Sequence, residues 1–156
     1  MRTLRQYCVN ILVDRENLSP ANWFYVYDPD IEISRVSFPF SLSGEQNGNT
    51  AIQAEIFLPQ SARPNEAALL EKAVADLGRL LKFPASAVRA AEIRFYPHSY
   101  VVSDLERAAA VRHVRDWLRG RGIETTGLFG AWEYVWSDRA FAGGRALAQA
   151  WREKSP

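Results

Sequence analysis

The sequence of 156 residues has little cysteine and little histidine, and neither sign of charge dominates it. Cys8 is the single cysteine, so an internal disulfide is excluded. With only two histidines, a zinc site built from cysteine and histidine is not expected. The 19 Lys and Arg residues balance 18 Asp and Glu residues, which argues against nucleic acid or an acidic membrane surface as the main partner.

Long apolar runs are also missing. The apolar stretch that follows the basic first residues is interrupted by Asn10 and ended by Asp14 and Arg15, a pattern typical of neither a signal peptide nor a membrane span. These features and the lone cysteine favour a cytoplasmic protein. The length and the 47% of apolar residues predict one domain over residues 1–156.

The motifs of common nucleotide-binding enzymes are absent too. The sequence contains no G-x-x-x-x-G-K-[ST] phosphate loop. Gly120 and Gly122 have the spacing of a dinucleotide motif, but they follow a helical pattern and lack the third glycine, so we expect them to end a helix. No catalytic residue is predicted from the residues themselves.

Alternating apolar and polar residues predict a largely antiparallel sheet of about five to six strands. In the first strand, Tyr7, Val9, Ile11 and Val13 share one face. Pro39 should end the ladder of the third strand or place that strand at an edge of the sheet. The predicted strands cover residues 7–13, 23–27, 33–38, 50–58, 90–96 and a short segment at 123–129. Because the first four follow one another with short turns, we expect them to form an antiparallel meander.

Helical spacing predicts three flanking helices, which makes the fold class α+β. The first has Pro64 in its first turn and an apolar stripe of Ala67, Leu70, Val74, Leu77 and Leu81. A capping box at residues 103–106 opens the second, which has an apolar stripe of Leu105, Ala108, Val111, Val114 and Leu118. Ser137 or Asp138 can cap the third, which runs to about residue 152.

Two surface patterns each allow two interpretations. Trp23, Tyr25 and Tyr27 fall on one face of a strand, where they either fill the core or line a cavity for a flat or sugar-like ligand. Five arginines on the second helix and just after it form either a solvated helix face or a site for an anion or a partner: Arg107, Arg112, Arg115, Arg119 and Arg121.

The segment 127–138 combines glycines with aromatic residues and leads into the last helix. Glycine lets the backbone approach a ligand closely, and a helix start presents free amides to it. The Gly143-Gly144 pair lies inside that helix, where glycine costs about 1 kcal/mol relative to alanine. We therefore expect close packing against this pair.

These stretches, with residues 23–30, 35–39 and 100–104 and the helix that follows residue 104, resemble the C-terminal half of an FAD-dependent oxidoreductase of the amine oxidase superfamily, nearest the group of UDP-galactopyranose mutase and protoporphyrinogen oxidase. The resemblance implies a substrate-binding domain followed by a terminal segment that contacts the flavin. The implied flavin contacts are Gly127, Gly130, Trp132, Tyr134, Ser137 and Asp138. The implied substrate contacts are Trp23, Tyr25, Tyr27, Arg35 and Tyr100.

The sequence also departs from that family. Leu128 replaces an arginine that helps to hold cofactor or substrate charge, and Ala131 replaces a glutamate. The family's G-x-G-x-x-G unit, which binds the ADP part of FAD, is absent from these residues, so the isolated chain is not expected to hold FAD tightly.

Two hypotheses follow from the resemblance and its departures. The first is a split or truncated enzyme that binds FAD only with a complementary subunit carrying the G-x-G-x-x-G domain, or that self-associates. The second is a flavin-free binding or interaction module. A non-functional fragment is the remaining alternative.

Overall fold

The computed structural model of the chain describes residues 2–44 and 48–154. Its five strands are β1 (Arg2–Val13), β2 (Trp23–Tyr25), β3 (Ile33–Ser37), β4 (Thr50–Leu58) and β5 (Val88–Val102). Its five α-helices are α1 (Pro39–Ser43), α2 (Glu66–Leu81), α3 (Arg107–Arg119), α4 (Gly127–Gly130) and α5 (Ser137–Lys154). The predicted α+β class is confirmed, and α1 and α4 are short helices additional to the three that were predicted.

The five strands form one antiparallel sheet in the order β2-β3-β4-β1-β5. The expected meander is correct for β2, β3 and β4 but wrong for β1, which pairs with β4 and not with β2. The arrangement is a Greek key. Hairpins connect β2, β3 and β4, and β1, which precedes them in the chain, lies beside β4. The nine residues 14–22 form the long connection that separates β1 from β2.

One face of the sheet packs with α2 to form the core. Tyr7, Val9, Ile11 and Val13 lie on this face of β1, as the alternation predicted, and all four are buried. Ile52, Ala54 and Ile56 of β4 lie opposite them. The buried side of α2 differs from the predicted stripe: Leu69, Ala73 and Leu77 are buried, Leu70, Val74 and Leu81 are partly buried at the margin, and Ala67 is exposed.

The caps and prolines in the sequence predict some helix ends correctly and others not. The side chain of Asn65 caps α2 by accepting a hydrogen bond from the amide of Ala68 at 3.1 Å, so Pro64 lies before the cap and outside the first turn. Pro39 ends β3 as expected and stands in the first turn of α1. At α3 the expected capping box does not form, because the helix begins only after Glu106 and no side chain caps it.

The expected strand at residues 123–129 is wrong. Residues 123–126 are irregular and Gly127–Gly130 forms α4, a single helical turn. A short apolar run does not distinguish a strand from a helical turn, and none of the five strands pairs with this segment. α3 ends at Arg119 and is followed by Gly120, as the sequence predicted.

The chain divides into two compact units, with the boundary inside β5 after Ser99. We call Leu4–Ser99 the sheet unit, and we call Tyr100–Pro156 together with Met1–Thr3 the terminal unit. All members of the hydrophobic core cluster belong to the sheet unit. Among the described residues, no helix has the length and apolar character needed to cross a membrane.

Candidate functional site

The face of the sheet opposite α2 carries a row of hydrogen-bonded polar side chains that crosses three strands. Asn10 on β1 is at its centre. The amide of Gln53 on β4 donates to the side-chain oxygen of Asn10 at 3.1 Å, and Asn10 donates to Glu92 on β5 at 3.2 Å. Arg94 completes the row with a bond of 2.8 Å to Glu92. Hydrogen bonds from Arg94 and Asn10 lower the pKa of Glu92, so its carboxylate stays ionised.

An ion pair extends this face toward β3. The guanidinium of Arg35 donates to the carboxylate of Glu55 at 2.5 Å. The Glu55 side chain is 10% exposed and that of Arg35 is 40% exposed, so the carboxylate is nearly buried beneath its partner. The bond to Glu55 raises the pKa of Arg35. We call Asn10, Gln53, Glu92, Arg35 and Glu55 the polar face. Arg35 and Glu55 pair with each other, and Glu92 pairs with Arg94.

Aromatic residues of β2 and of the segment directly after it border the polar face. Tyr25 lies opposite Arg35 in the β2–β3 ladder, and its ring centroid is 6.4 Å from that of Tyr27. Trp23, Tyr25 and Tyr27 are all about half exposed or more, whereas Phe24 packs against the core. The interpretation of the three residues as core is therefore wrong, and they are available as the edge of a binding surface.

Cys8 also lies on β1, opposite Glu55 in the ladder with β4. Burial raises the pKa of its thiol to about 11, with a further contribution from the negative charge of Glu55. The thiol is thus protonated and unreactive at neutral pH, which excludes it as a nucleophile on this face.

A second candidate site lies in the terminal unit, around α4. Gly127 adopts a left-handed conformation with φ of 81°, and Trp132 adopts the same region with φ of 53°. For a bulky residue this conformation is rare and costs about 1–3 kcal/mol, and such positions concentrate at ligand sites. The ring of Phe129 meets that of Trp132 edge-to-face, with centroids 5.9 Å apart.

The indole N–H of Trp132 is shielded from solvent and has no hydrogen-bond partner among the described residues. Buried donors are nearly always paired, so an unpaired one indicates a ligand, an ion or a water. The backbone carbonyl of the same residue accepts a hydrogen bond from Arg107 of α3. Trp132 is therefore anchored through its backbone, while its side-chain donor stays unpaired.

The other predicted flavin contacts lie nearby in sequence, and the structure places them as follows. Tyr134 is exposed, and its ring centroid is 5.9 Å from that of Tyr100, so the two tyrosines lie together in the terminal unit. Ser137 is the first residue of α5 and Asp138 lies in its first turn, where a carboxylate favours the helix dipole.

Glycines in α5 confirm part of the packing expectation. A Cβ on Gly143 would lie 2.5 Å from the hydroxyl oxygen of Thr126, so the segment before α4 packs directly against the helix at this point. Gly144 has open space where its Cβ would be, so the expectation holds for Gly143 alone.

Apolar side chains of the terminal unit are largely uncovered. Among its described apolar residues only Val101 and Ala131 are buried. Phe129, Trp136 and Phe141 are 48%, 67% and 76% exposed, and Leu105, Trp117, Ile123 and Trp151 are exposed as well. The predicted stripe on α3 is likewise not buried. Such an extent of exposed apolar surface is typical of a surface that binds another protein segment.

Sequence reasoning missed Asn10, Gln53, Glu55 and Glu92. The alternation in β3 and β4 already placed Arg35 and Glu55 on the side away from the core, and a hairpin between the two strands would have made them neighbours. For Asn10 and Glu92 the sequence held no comparable signal, because β1, β4 and β5 are not all adjacent along the chain. Among the described residues, no cluster of three or more potential metal ligands occurs.

Two solved structures of longer proteins share this fold. Reduced UDP-galactopyranose mutase matches 86% of the chain with a TM-score of 0.73 at 17% identity, over 30% of its own length. A candidate protoporphyrinogen oxidase from Exiguobacterium sp. 255-15 matches 99% of the chain with a TM-score of 0.69 at 14% identity, over 36% of its length. The chain thus spans about a third of each. No family model and no curated protein matches the sequence. The likeness confirms the fold that the sequence resemblance implied.

Proposed function

We propose that this chain forms the substrate-binding sheet and one side of the flavin site of a flavin-dependent oxidoreductase. The nucleotide-binding half would come from sequence outside these 156 residues. The observation that carries the proposal is the state of Trp132 in the terminal unit. This residue has an unpaired indole N–H and a left-handed backbone, and exposed aromatic side chains surround it in the sequence. A fold shared with about a third of two longer proteins supports it.

The groups in the terminal unit fit the isoalloxazine ring of FAD. The ring is flat and has hydrogen-bond acceptors along its edge, for which the Trp132 indole N–H is a suitable donor. Phe129 and Tyr134 are exposed aromatic surfaces that would exclude water from such a ring. Gly127 has open space where a Cβ would be, so a ring can approach the backbone at this end of α4, whereas a Cβ on Gly130 would lie 3.5 Å from the Cβ of Thr125.

FAD, when bound, would supply the redox chemistry, and the protein would bind and orient it. The free amides of the first turn of α5, at Ser137 and Asp138, are donors that stabilise nearby negative charge. The nucleotide part of FAD has no G-x-G-x-x-G unit in this chain. Cofactor affinity would therefore depend on the complementary half.

The polar face would bind the substrate. Trp23, Tyr25 and Tyr27 would stack against it, while Arg35 and the amides of Asn10 and Gln53 would form hydrogen bonds. This composition favours a hydroxyl-rich molecule such as a nucleotide sugar over an isoprenoid-like amphiphile, because the charges and amides of the face need polar partners when water is displaced. For Tyr100, which the resemblance makes a substrate contact, the proposed role lies within the terminal unit, beside Tyr134.

A flavin-free binding module is the second candidate. Leu128 and Ala131 favour it, since both replace charged residues of the family pattern. It would use the same aromatic border and polar face to bind a ligand or a partner without redox chemistry.

The deciding experiment is co-expression of the tagged chain with the sequence that encodes a strand–G-x-G-x-x-G–helix unit, in the same or a neighbouring reading frame. We expect a colourless isolated chain and a co-purified complex with a visible flavin spectrum. The Trp132→Phe variant keeps the ring and loses the donor, so flavin retention should fall by about 3- to 10-fold, the effect of one hydrogen bond. Tyr96→Phe, an exposed residue of β5 in the sheet unit, also removes one donor from an aromatic side chain; it is the control and should leave retention unchanged.

Two results would count against the proposal. A complex that forms without flavin would favour the binding module. A stoichiometric flavin spectrum from the isolated chain would show that cofactor affinity does not depend on a complementary half.

A further inference from the structure

α3 presents four arginines on one side. Their spacing of three to five residues keeps them together on the helix surface. They line a groove of about 400 Å3 with an apolar part formed by Ala108 and Val111. The arginines are Arg107, Arg112, Arg115 and Arg119.

Most of this positive charge is not neutralised by the residues that the structure describes. Arg119 pairs with Asp116 at 3.0 Å and with Glu124 at 3.4 Å. Arg107 and Arg115 donate to the backbone carbonyls of Trp132 and Thr125, which are neutral acceptors. Arg112 is exposed and forms no ion pair or hydrogen bond with any described residue. Like charges this close repel one another until an anion reaches them.

The helix itself is without cover. None of the 13 residues of α3, all of which the structure describes, is buried. The two backbone contacts of Arg107 and Arg115 connect this face to the segment 125–132, which carries Trp132. A partner bound on the arginine face would therefore also be next to the proposed flavin-contacting segment.

We infer that the arginine face of α3 binds an acidic protein segment of the complementary half; this rests on the proposed function. The groove includes the carboxylates of Asp116 and Glu133, which would repel a compact polyanion such as a diphosphate. A peptide can place its acidic side chains beside Arg112 and Arg115 and its small apolar ones over Ala108 and Val111. Charge complementarity of this kind guides association and fixes orientation.

The test uses the flavin-containing complex of this chain with its complementary half. We expect the Kd to rise at least about tenfold when NaCl is raised from about 0.05 to about 0.5 M, because salt screens exposed charges. Arg112→Glu should raise the Kd about tenfold, and Arg112→Lys should stay within about twofold. Arg15→Glu, an exposed arginine of the sheet unit, changes net charge equally and is the control.

Each outcome decides the inference. A complex that keeps its flavin but whose Kd does not respond to salt or to Arg112→Glu would overturn it and leave the proposed function intact. An equal effect of Arg15→Glu would reduce it to a net-charge effect and overturn it. Displacement of the partner by pyrophosphate at constant ionic strength would make this a phosphate site. Failure to form any flavin-containing complex would overturn both proposals.

Discussion

The ion pair between Arg35 and Glu55 provides a quantitative test of the polar face. Glu55→Gln keeps the size of the side chain and removes its charge, while the guanidinium of Arg35 stays in place. In the native protein the two groups are 2.5 Å apart, with Glu55 almost buried and Arg35 partly exposed. The substitution therefore removes a charge-assisted hydrogen bond and leaves a cation that water can still reach.

The expected loss in the free energy of unfolding follows from the exposures of the Arg35 and Glu55 side chains. Two unit charges about 4 Å apart attract by about 4 kcal/mol at an effective dielectric constant of about 20. Burial of the Glu55 carboxylate and hydration of Arg35 offset much of this, and hydrogen bonds to charged groups contribute about 1.5–3 kcal/mol net. Because Arg35 is 40% exposed, we take the lower part of that range and expect a loss of about 1.5–2 kcal/mol. A loss of that size lowers Tm by roughly 5 °C in a chain of this length.

Urea unfolding at neutral pH, followed by circular dichroism, measures the loss directly. Glu71→Gln on the exposed side of α2 is the matched control and should change the free energy of unfolding by less than about 0.5 kcal/mol. With Arg35→Gln and the double variant, a cycle isolates the interaction, which should be about 1–1.5 kcal/mol. A coupling near zero, or a Glu55→Gln effect no larger than that of the control, would refute the role of this pair.

Three further predictions concern other parts of the chain. Gly144→Ala should stabilise α5 by about 0.5–1 kcal/mol in thermal unfolding, whereas Gly143→Ala should gain less or lose stability, because its Cβ would collide with Thr126; equal gains would contradict the packing. Burial alone would raise the pKa of Asp76 on α2, but hydrogen bonds from Lys72 and Arg79 lower this pKa overall. Its contribution is therefore present above about pH 4 and is lost as pH falls through the lowered pKa, so the stability gap between wild type and Asp76→Asn should shrink below about pH 4 in urea titrations; a gap that widens would refute this sign. With a thiol pKa of about 11 and a buried side chain, Cys8 should react with iodoacetamide at pH 8 at least about a hundredfold more slowly in the native protein than in urea; rapid native labelling would contradict its burial.

What the sequence determined by itself is the local part of the fold. In β1, β3 and β4 the alternation identifies the buried face correctly, since side chains in a strand point to opposite sides with a period of two. Pro39 and Gly120 mark the ends of β3 and α3 because each acts on the backbone of its own residue or its neighbours. The family-like segments led from the sequence alone to a fold that solved structures share.

Tertiary structure decided which strands are neighbours and what they bring together. The pairing of β1 with β4 connects residues that are 37 to 53 positions apart, and nothing in the local pattern favours it over pairing with β2. The row from Gln53 through Asn10 to Glu92 exists only through that pairing and the position of β5 beside β1. A local signal therefore predicts a residue's face, but not the side chains it meets across a sheet.

The terminal unit shows the same division more clearly. Its glycines and aromatic residues are visible in the sequence, and from them a ligand-contacting segment was predicted. The left-handed backbone of Trp132, its unpaired indole N–H and its contact with Arg107 arise only when α3 and the segment around α4 fold against each other. Composition can place aromatic residues in a segment, but the conformation that leaves one donor unpaired depends on packing between residues 25 positions apart.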